Sequence, residues 1–404
     1  MRWRWVKAGV LSAVLVAVGA VAPASATSSA PAGGSAAPPH VSEAFTLVVG
    51  TVLAPPNAVL GADNRRHLAY ELQLLNVAPF PVTLNRIDTL DAGTGAVLGT
   101  IGDAALAALV RRPEGGEFTG ALGAGLTGLA VLDVALPARA PLPRALVHRL
   151  TISFDPDSAP PGFPAPVPYL AARTPVSRHQ PITVAPPLRG AGWVAVNGCC
   201  DSANGHRGGI IPIDGRLRAV ERFAIDFVQF GPDRRLFVGP VENLSSFRYY
   251  GAEVHSVADG TVVRTHDGEP EQTPPNGPAE FPTPQNAGGN WLVVDIGGGH
   301  LAFYAHLQPR SITAKVGDRV RPGQVLGLLG NTGNSTGPHL HFHIMDSPSF
   351  DSDGLPFQFD AFTSPGTVTD ANIMFEGAPT PISPVLGGPH RQQLPLDLQV
   401  INFG

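Results

Sequence analysis

The run Gly330-Asn331-Thr332-Gly333-Asn334-Ser335-Thr336-Gly337-Pro338-His339-Leu340-His341-Phe342 is a glycine-rich turn feeding an extended segment with alternating histidines. In a strand, side chains two apart share a face, so His339 and His341 point the same way while Leu340 is buried behind them. Neighbouring imidazoles suit a transition metal, and neutral imidazole is a common ligand of zinc. A hydrolytic zinc site needs three protein ligands and an open position for water. The metal lowers the pKa of that water to about 7 and polarises the carbonyl under attack. Two histidines are too few. The groups whose contexts suggest convergence on them are His206 in Asn204-Gly205-His206-Arg207, Asp226 in Ala224-Ile225-Asp226-Phe227, and His306 in Tyr304-Ala305-His306-Leu307. Asp226 lies between Ile225 and Phe227, where an unpaired carboxylate would be costly to bury; a metal supplies the partner. The glycine-rich turn lacks the GxxxxGK[ST] spacing of a phosphate cradle and reads as a tight turn.

These residues need a scaffold, and the rest of the chain reads as mainly β. Phe45–Val49, His67–Leu74, Val82–Leu84, Val131–Val134 and His148–Phe154 have the apolar content of strands and are separated by Pro and Gly turns. Their spacing predicts an immunoglobulin-like β-sandwich over 43–154, with one short helix near 103–111. Dense proline marks 155–187 as a linker between domains. A second β-rich domain spans 188–375. In it Glu253–Ala258, the turn Asp259-Gly260 and Thr261–Arg264 read as a hairpin, and Trp291–Ile296 and Leu301–His306 as a further strand pair. The tail, 376–404, ends in an alternating segment expected to dock as a strand onto one of the domains.

The first residues have the basic start, apolar run and Ala24-Ser25-Ala26 pattern of a secretory signal, giving a signal peptide at 1–26. The apolar run is shorter than the roughly 20 residues of a spanning helix, so the mature form is expected outside the cell with no membrane segment. Residues 27–42, rich in Ala, Ser, Gly and Pro, read as a flexible linker. The formal charge of −5 becomes more negative by three once Arg2, Arg4 and Lys7 leave, which argues against a nucleic-acid partner. Cys199 and Cys200 are adjacent: a vicinal disulfide, free thiols and metal ligation are all open, with a structural use favoured because the CxxC spacing is absent. His343 continues the alternation and could ligate or support a ligand, although a solvated strand end suits it better. His255 and His300 read as surface or turn residues.

Asp226 in its Ala-Ile-Asp-Phe context, Tyr304-Ala305-His306-Leu307, Val316-Gly317-Asp318-Arg319-Val320 with Gly323-Gln324, and the run from Gly330 to Phe342 together resemble the LytM/lysostaphin-type zinc metallopeptidases, the M23 family. The resemblance covers roughly residues 190–360. It implies an antiparallel β-sheet domain of duplicated-hybrid-motif type, one zinc per chain, and hydrolysis of amide bonds in peptidoglycan peptides by a secreted or cell-wall-associated enzyme. Carried over, His341 and Asp226 become ligands, and His339 and His306 the catalytic pair that handles protons and the developing oxyanion. The family's first ligand histidine stands four residues before the aspartate, where this chain has Arg222. His206 is then the expected replacement, with 208–221 as an insertion in which Ile213-Asp214-Gly215-Arg216 forms a turn. The competing expectation is a metal-free relative that binds cell wall or activates another hydrolase.

Overall fold

The computed structural model describes residues 45–113, 118–166, 168–200, 204–280 and 282–404; the expected signal segment 1–26 and linker 27–42 lie outside the described residues. Two five-stranded antiparallel sheets form the N-terminal unit. The first runs Val48–Val52, Arg65–Asn76, Thr127–Pro137, Val110–Arg111, with Asn57–Leu60 also on Arg65–Asn76. The second runs Tyr169–Pro175, Ala145–Ser153, Val82–Asp91, Val97–Gly102, with Ala121–Leu122 on Val82–Asp91. Period-two patterning sends Leu68, Tyr70, Leu72 and Leu74 into a core shared with Leu84, Ile87, Leu146 and Leu150. The opposite face of Arg65–Asn76 carries His67, Ala69 and Glu71, which are also buried. Ala69 packs into the core of the second unit, so that face is the junction between the two.

The stretch 155–187, read from its prolines as a linker, is structured. Tyr169–Pro175 forms the outer strand of the second sheet, and Ile182–Val184 pairs in parallel with Phe357–Val368. Proline is tolerated at sheet edges, where a missing N–H breaks no ladder, so its density did not forbid strands here. The short helix is Asp103–Leu109.

The second unit is organised by a 13-stranded sheet. Its central path runs Phe357–Val368, Gln399–Phe403, Gly190–Val196, Ile225–Gln229, Leu340–Met345, Leu301–Leu307, Asn290–Asp295, Gly260–His266, all antiparallel. The tail strand Gln399–Phe403 is therefore wedged between Phe357–Val368 and Gly190–Val196. The expected hairpin around Asp259-Gly260 does not form. Glu253–His255 pairs with Val325–Leu328 in a separate two-stranded sheet, while Gly260–His266 pairs with Asn290–Asp295. Val254 and Val262 both reach the same core, so the turn passes the chain between sheets instead of folding it back. On the central strands Ile225, Phe227, Leu340, Phe342 and Ile344 fill that core with Trp193, Phe357, Phe359 and Phe403. The residues between them, Asp226, His341 and His343, face the other side.

In the junction, His67 lies between two carboxylates, with Nδ1 2.7 Å from Asp133 and Nε2 3.1 Å from Asp63. Burial opposes its charge, but the hydrogen bonds and charges of Asp133 and Asp63 prevail and raise its pKa to about 9. A folded-state pKa above the unfolded value near 6.5 stabilises the fold fully below about pH 6.5, and this contribution is lost as pH rises through about 9. Thermal melts between pH 6 and 10 should show a fall in Tm for the wild type that His67→Gln flattens. Parallel curves for the two proteins would contradict the charged state assigned to His67.

Candidate metal centre

Two of the expected groups are brought together by register. Ile225–Gln229 and Leu340–Met345 pair so that Asp226 lies opposite His341, and Nδ1 of His341 is 3.0 Å from Oδ1 of Asp226. His206 arrives from a turn over 205–208, and its Nε2 is 3.2 Å from Oδ2 of Asp226. The donor atoms of His206, Asp226 and His341 all lie within 4.8 Å of one another. Arg222, in the slot four residues before Asp226, points away from this cluster and binds Glu71 of the N-terminal unit.

The donor chemistry fits a metal. Nδ1 of His206 is 3.0 Å from the carbonyls of Asn197 and Ala224, which orients the ring with Nε2 toward Asp226, the nitrogen a metal would take in place of a proton. Asn197 donates from its amide to Oδ2 of Asp226 at 2.9 Å. Nε2 of His341 is 2.9 Å from Nδ1 of His343, leaving Nδ1 of His341 on the metal side. A second group of suitable residues, His67, Asp133 and Cys200, is already committed. Both nitrogens of His67 engage carboxylates, and Cys200 is joined to Cys199 in a disulfide.

His306 and His339 flank the cluster with ring centroids 4.5 Å apart. His306 sits in a strand yet has a left-handed φ of 64°, a conformation uncommon outside glycine and asparagine. Its Nδ1 donates to the carbonyl of Thr332 at 2.7 Å. Thr332 is held in turn: its hydroxyl donates to the Leu307 carbonyl and accepts from the Asn290 N–H. The glycine-rich turn makes this possible, because a Cβ on Gly333 would overlap the backbone of Gly289. Nδ1 of His339 donates to the carbonyl of Gly337 at 2.9 Å, and its Nε2 lies 3.5 Å from Asp226.

Burial dominates the electrostatics. It pushes His306 well below the usual imidazole range, with the imidazoles of His339 and His341 adding to the effect, and lowers His339 as well. Burial also works against charge on His206, yet the Asp226 carboxylate prevails and raises it to about 9. For Asp226, burial would raise the pKa, but His206 and His339 hold it well below the usual carboxylate range.

Three residues escaped sequence reasoning or were misread, two of them, His343 and Asn197, in contact with the cluster. His343 is 1 % exposed and supports His341, so the solvated strand end is corrected: its neighbour Leu301–Leu307 covers it. His255, read as surface, is buried at 3 % on Glu253–His255. Asn197 was not singled out from the sequence; it has a left-handed φ of 57° and its amide donates to Asp226. A cavity of about 140 Å³ opens beside Asp226 and His339, walled by Leu236, Phe237, Val241, Phe247, Tyr249 and Phe375.

Residues 245–352 match the family model for peptidase family M23, a range that includes His306, His339 and His341 and begins after His206 and Asp226. The glycyl-glycine endopeptidase ALE-1 of Staphylococcus capitis is 33% identical over 131 residues, 31% of this chain and 31% of that protein. The peptidoglycan DD-endopeptidase ShyA of Vibrio cholerae is 32% identical over 142 residues, 33% of this chain and 28% of its own length. The matches thus span less than a third of either relative. Among solved structures, the catalytic domain of lysostaphin from Staphylococcus simulans aligns at 25% identity and a TM-score of 0.22, covering 36% of this chain and 80% of that one.

Titration with Zn2+ against a chromogenic chelator is expected to give about one equivalent per chain, and His206→Ala to weaken binding by more than the roughly 100-fold typical of losing a supporting residue. Wild-type affinity in His206→Ala would remove it from the centre.

Proposed function

We propose, from the match of residues 245–352 to the family model for peptidase family M23, that the chain is an exported zinc metallopeptidase that hydrolyses amide bonds in peptidoglycan peptides. The observation that carries this reading is the convergence of His206, Asp226 and His341 within 4.8 Å, with His306 and His339 against them. His206, Asp226 and His341 would hold the metal. When bound, zinc supplies an acidified water and a Lewis acid for the scissile carbonyl. His306 and His339 each have Nδ1 donating to a backbone carbonyl, so Nε2 is the proton-accepting nitrogen in both. Their lowered pKa values keep that lone pair free. One ring takes a proton from the attacking water at Nε2 and passes that same proton to the departing amine, ending neutral as it began, while the other stands beside the developing oxyanion.

The two relatives' names specify different bonds, glycyl-glycine and DD. The cavity beside His339 is lined largely by apolar side chains and favours a substrate residue that has a side chain, as in a stem peptide containing alanine, over glycine. The metal-free alternative drew its support from Arg222. His206 beside Asp226 offers a third ligand in place of the one missing at 222 and favours the enzyme.

Incubation of purified peptidoglycan with the protein should release fragments, identified by mass spectrometry, that His341→Ala does not release. His306→Ala should keep its metal while losing about 10²–10⁴-fold in rate, the range of general acid–base catalysis. Hydrolysis at the wild-type rate by His341→Ala would sink the assignment.

A further inference from the structure

His206 differs from its partners in what holds it. Asp226 and His341 belong to paired central strands, so displacing either one disturbs a sheet. His206 lies on a turn over 205–208 with no ladder of its own. Local bonds shape that turn: Gly208 N–H to the Asn204 carbonyl, Gly209 N–H to the His206 carbonyl, and the Asn204 side chain to Gly198 and to the Arg207 N–H. The His206 ring is held within its own unit by the carbonyls of Asn197 and Ala224, and the anchor to the N-terminal unit is Arg207, next to His206. Its guanidinium, with no exposed surface, donates to Glu71 at 2.5 Å, to the carbonyl of Leu132 at 2.8 Å and to that of Cys200 at 3.3 Å.

Glu71 and Leu132 belong to the N-terminal unit, on Arg65–Asn76 and Thr127–Pro137. Glu71 has no exposed surface and also receives Arg222 at 2.8 and 2.5 Å. Arg222 lies three residues before the strand that carries Asp226. One carboxylate therefore restrains both segments that lead into the cluster. Burial opposes its charge, but the two arginines hold its pKa below the usual range.

We propose that Glu71 is a positioning residue for the metal centre, so that the N-terminal unit completes a site whose ligands all lie in the other unit. This rests on the reading of His206, Asp226 and His341 as ligands. Without the carboxylate, Arg207 loses its ion-pair partner while Arg222 keeps Asp353 at 3.8 Å, and removing one partner of a buried ion pair is far costlier than losing an exposed one. The arginine that can relieve this by moving toward water is the one attached to the unladdered turn. His206 moves with it, and its Nε2 leaves the position set by Asp226.

The test is the zinc affinity of the full chain, measured by chelator competition well below the melting temperature. Glu71→Gln should bind about 10–100-fold more weakly, as expected for a residue that orients a ligand. Asp88→Asn removes another buried carboxylate, paired with Arg86 and Arg149 in the other sheet of the same unit. It should lower Tm and leave affinity unchanged. Arg207→Met keeps the Glu71–Arg222 pair and should weaken zinc binding like Glu71→Gln, so it carries the test if Glu71→Gln does not fold. Wild-type affinity in folded Glu71→Gln or Arg207→Met, or an equal loss in Asp88→Asn, overturns the proposal. A wild-type protein that binds no zinc instead overturns the reading of the centre itself.

Discussion

The structure turns on the register between Ile225–Gln229 and Leu340–Met345. Because side chains alternate across a strand, one register decides both what fills the core and what meets on the other face. Leu340, Phe342 and Ile344 are fully buried. A slip that turned these three outward would cost about 5–9 kcal/mol at about 1.5–3 kcal/mol each, comparable to the entire stability of a typical domain. The hydrophobic core thus enforces the juxtaposition of Asp226 and His341, although neither contributes to it. The polar face is held by the apolar one.

That division explains what could be read from the chain. The histidine alternation is local and its geometry follows from strand period alone, so His339 and His341 were legible without a fold. Asp226 was legible because a carboxylate between Ile225 and Phe227 demands a partner. His206 was suggested by the missing histidine at 222, a substitution visible in the sequence, but nothing local indicated how a turn could hold it. His343 and His255 were misread for the same reason: their burial depends on strands distant in sequence. The stretch 155–187 was misread because proline opposes strand interiors but tolerates edges, and edge or interior is a property of the sheet.

Arg222 shows how one substitution can serve two needs. In the position where the resemblance calls for a ligand, it carries a fixed positive charge that cannot bind a metal and is costly to bury alone. Glu71 neutralises that cost from another unit. The second arginine, Arg207, shares Glu71, while Arg222 also has Asp353 at 3.8 Å, and both guanidinium groups donate to backbone carbonyls. The Glu71–Arg222 pair brings the junction between the units to within three residues of the strand that carries Asp226.

The wedged strand Gln399–Phe403 has a consequence for how the molecule assembles. Gly190–Val196, which flanks the Asp226 strand, has Gln399–Phe403 as its other neighbour, roughly two hundred residues further along the chain. A chain growing from its N-terminus must carry Gly190–Val196 with one row of N–H and C=O groups unpaired until that segment emerges. Such an edge is a template for pairing with other chains. Completion of the sheet beside Gly190–Val196 is therefore a long-range event that waits on a strand about two hundred residues further along the chain.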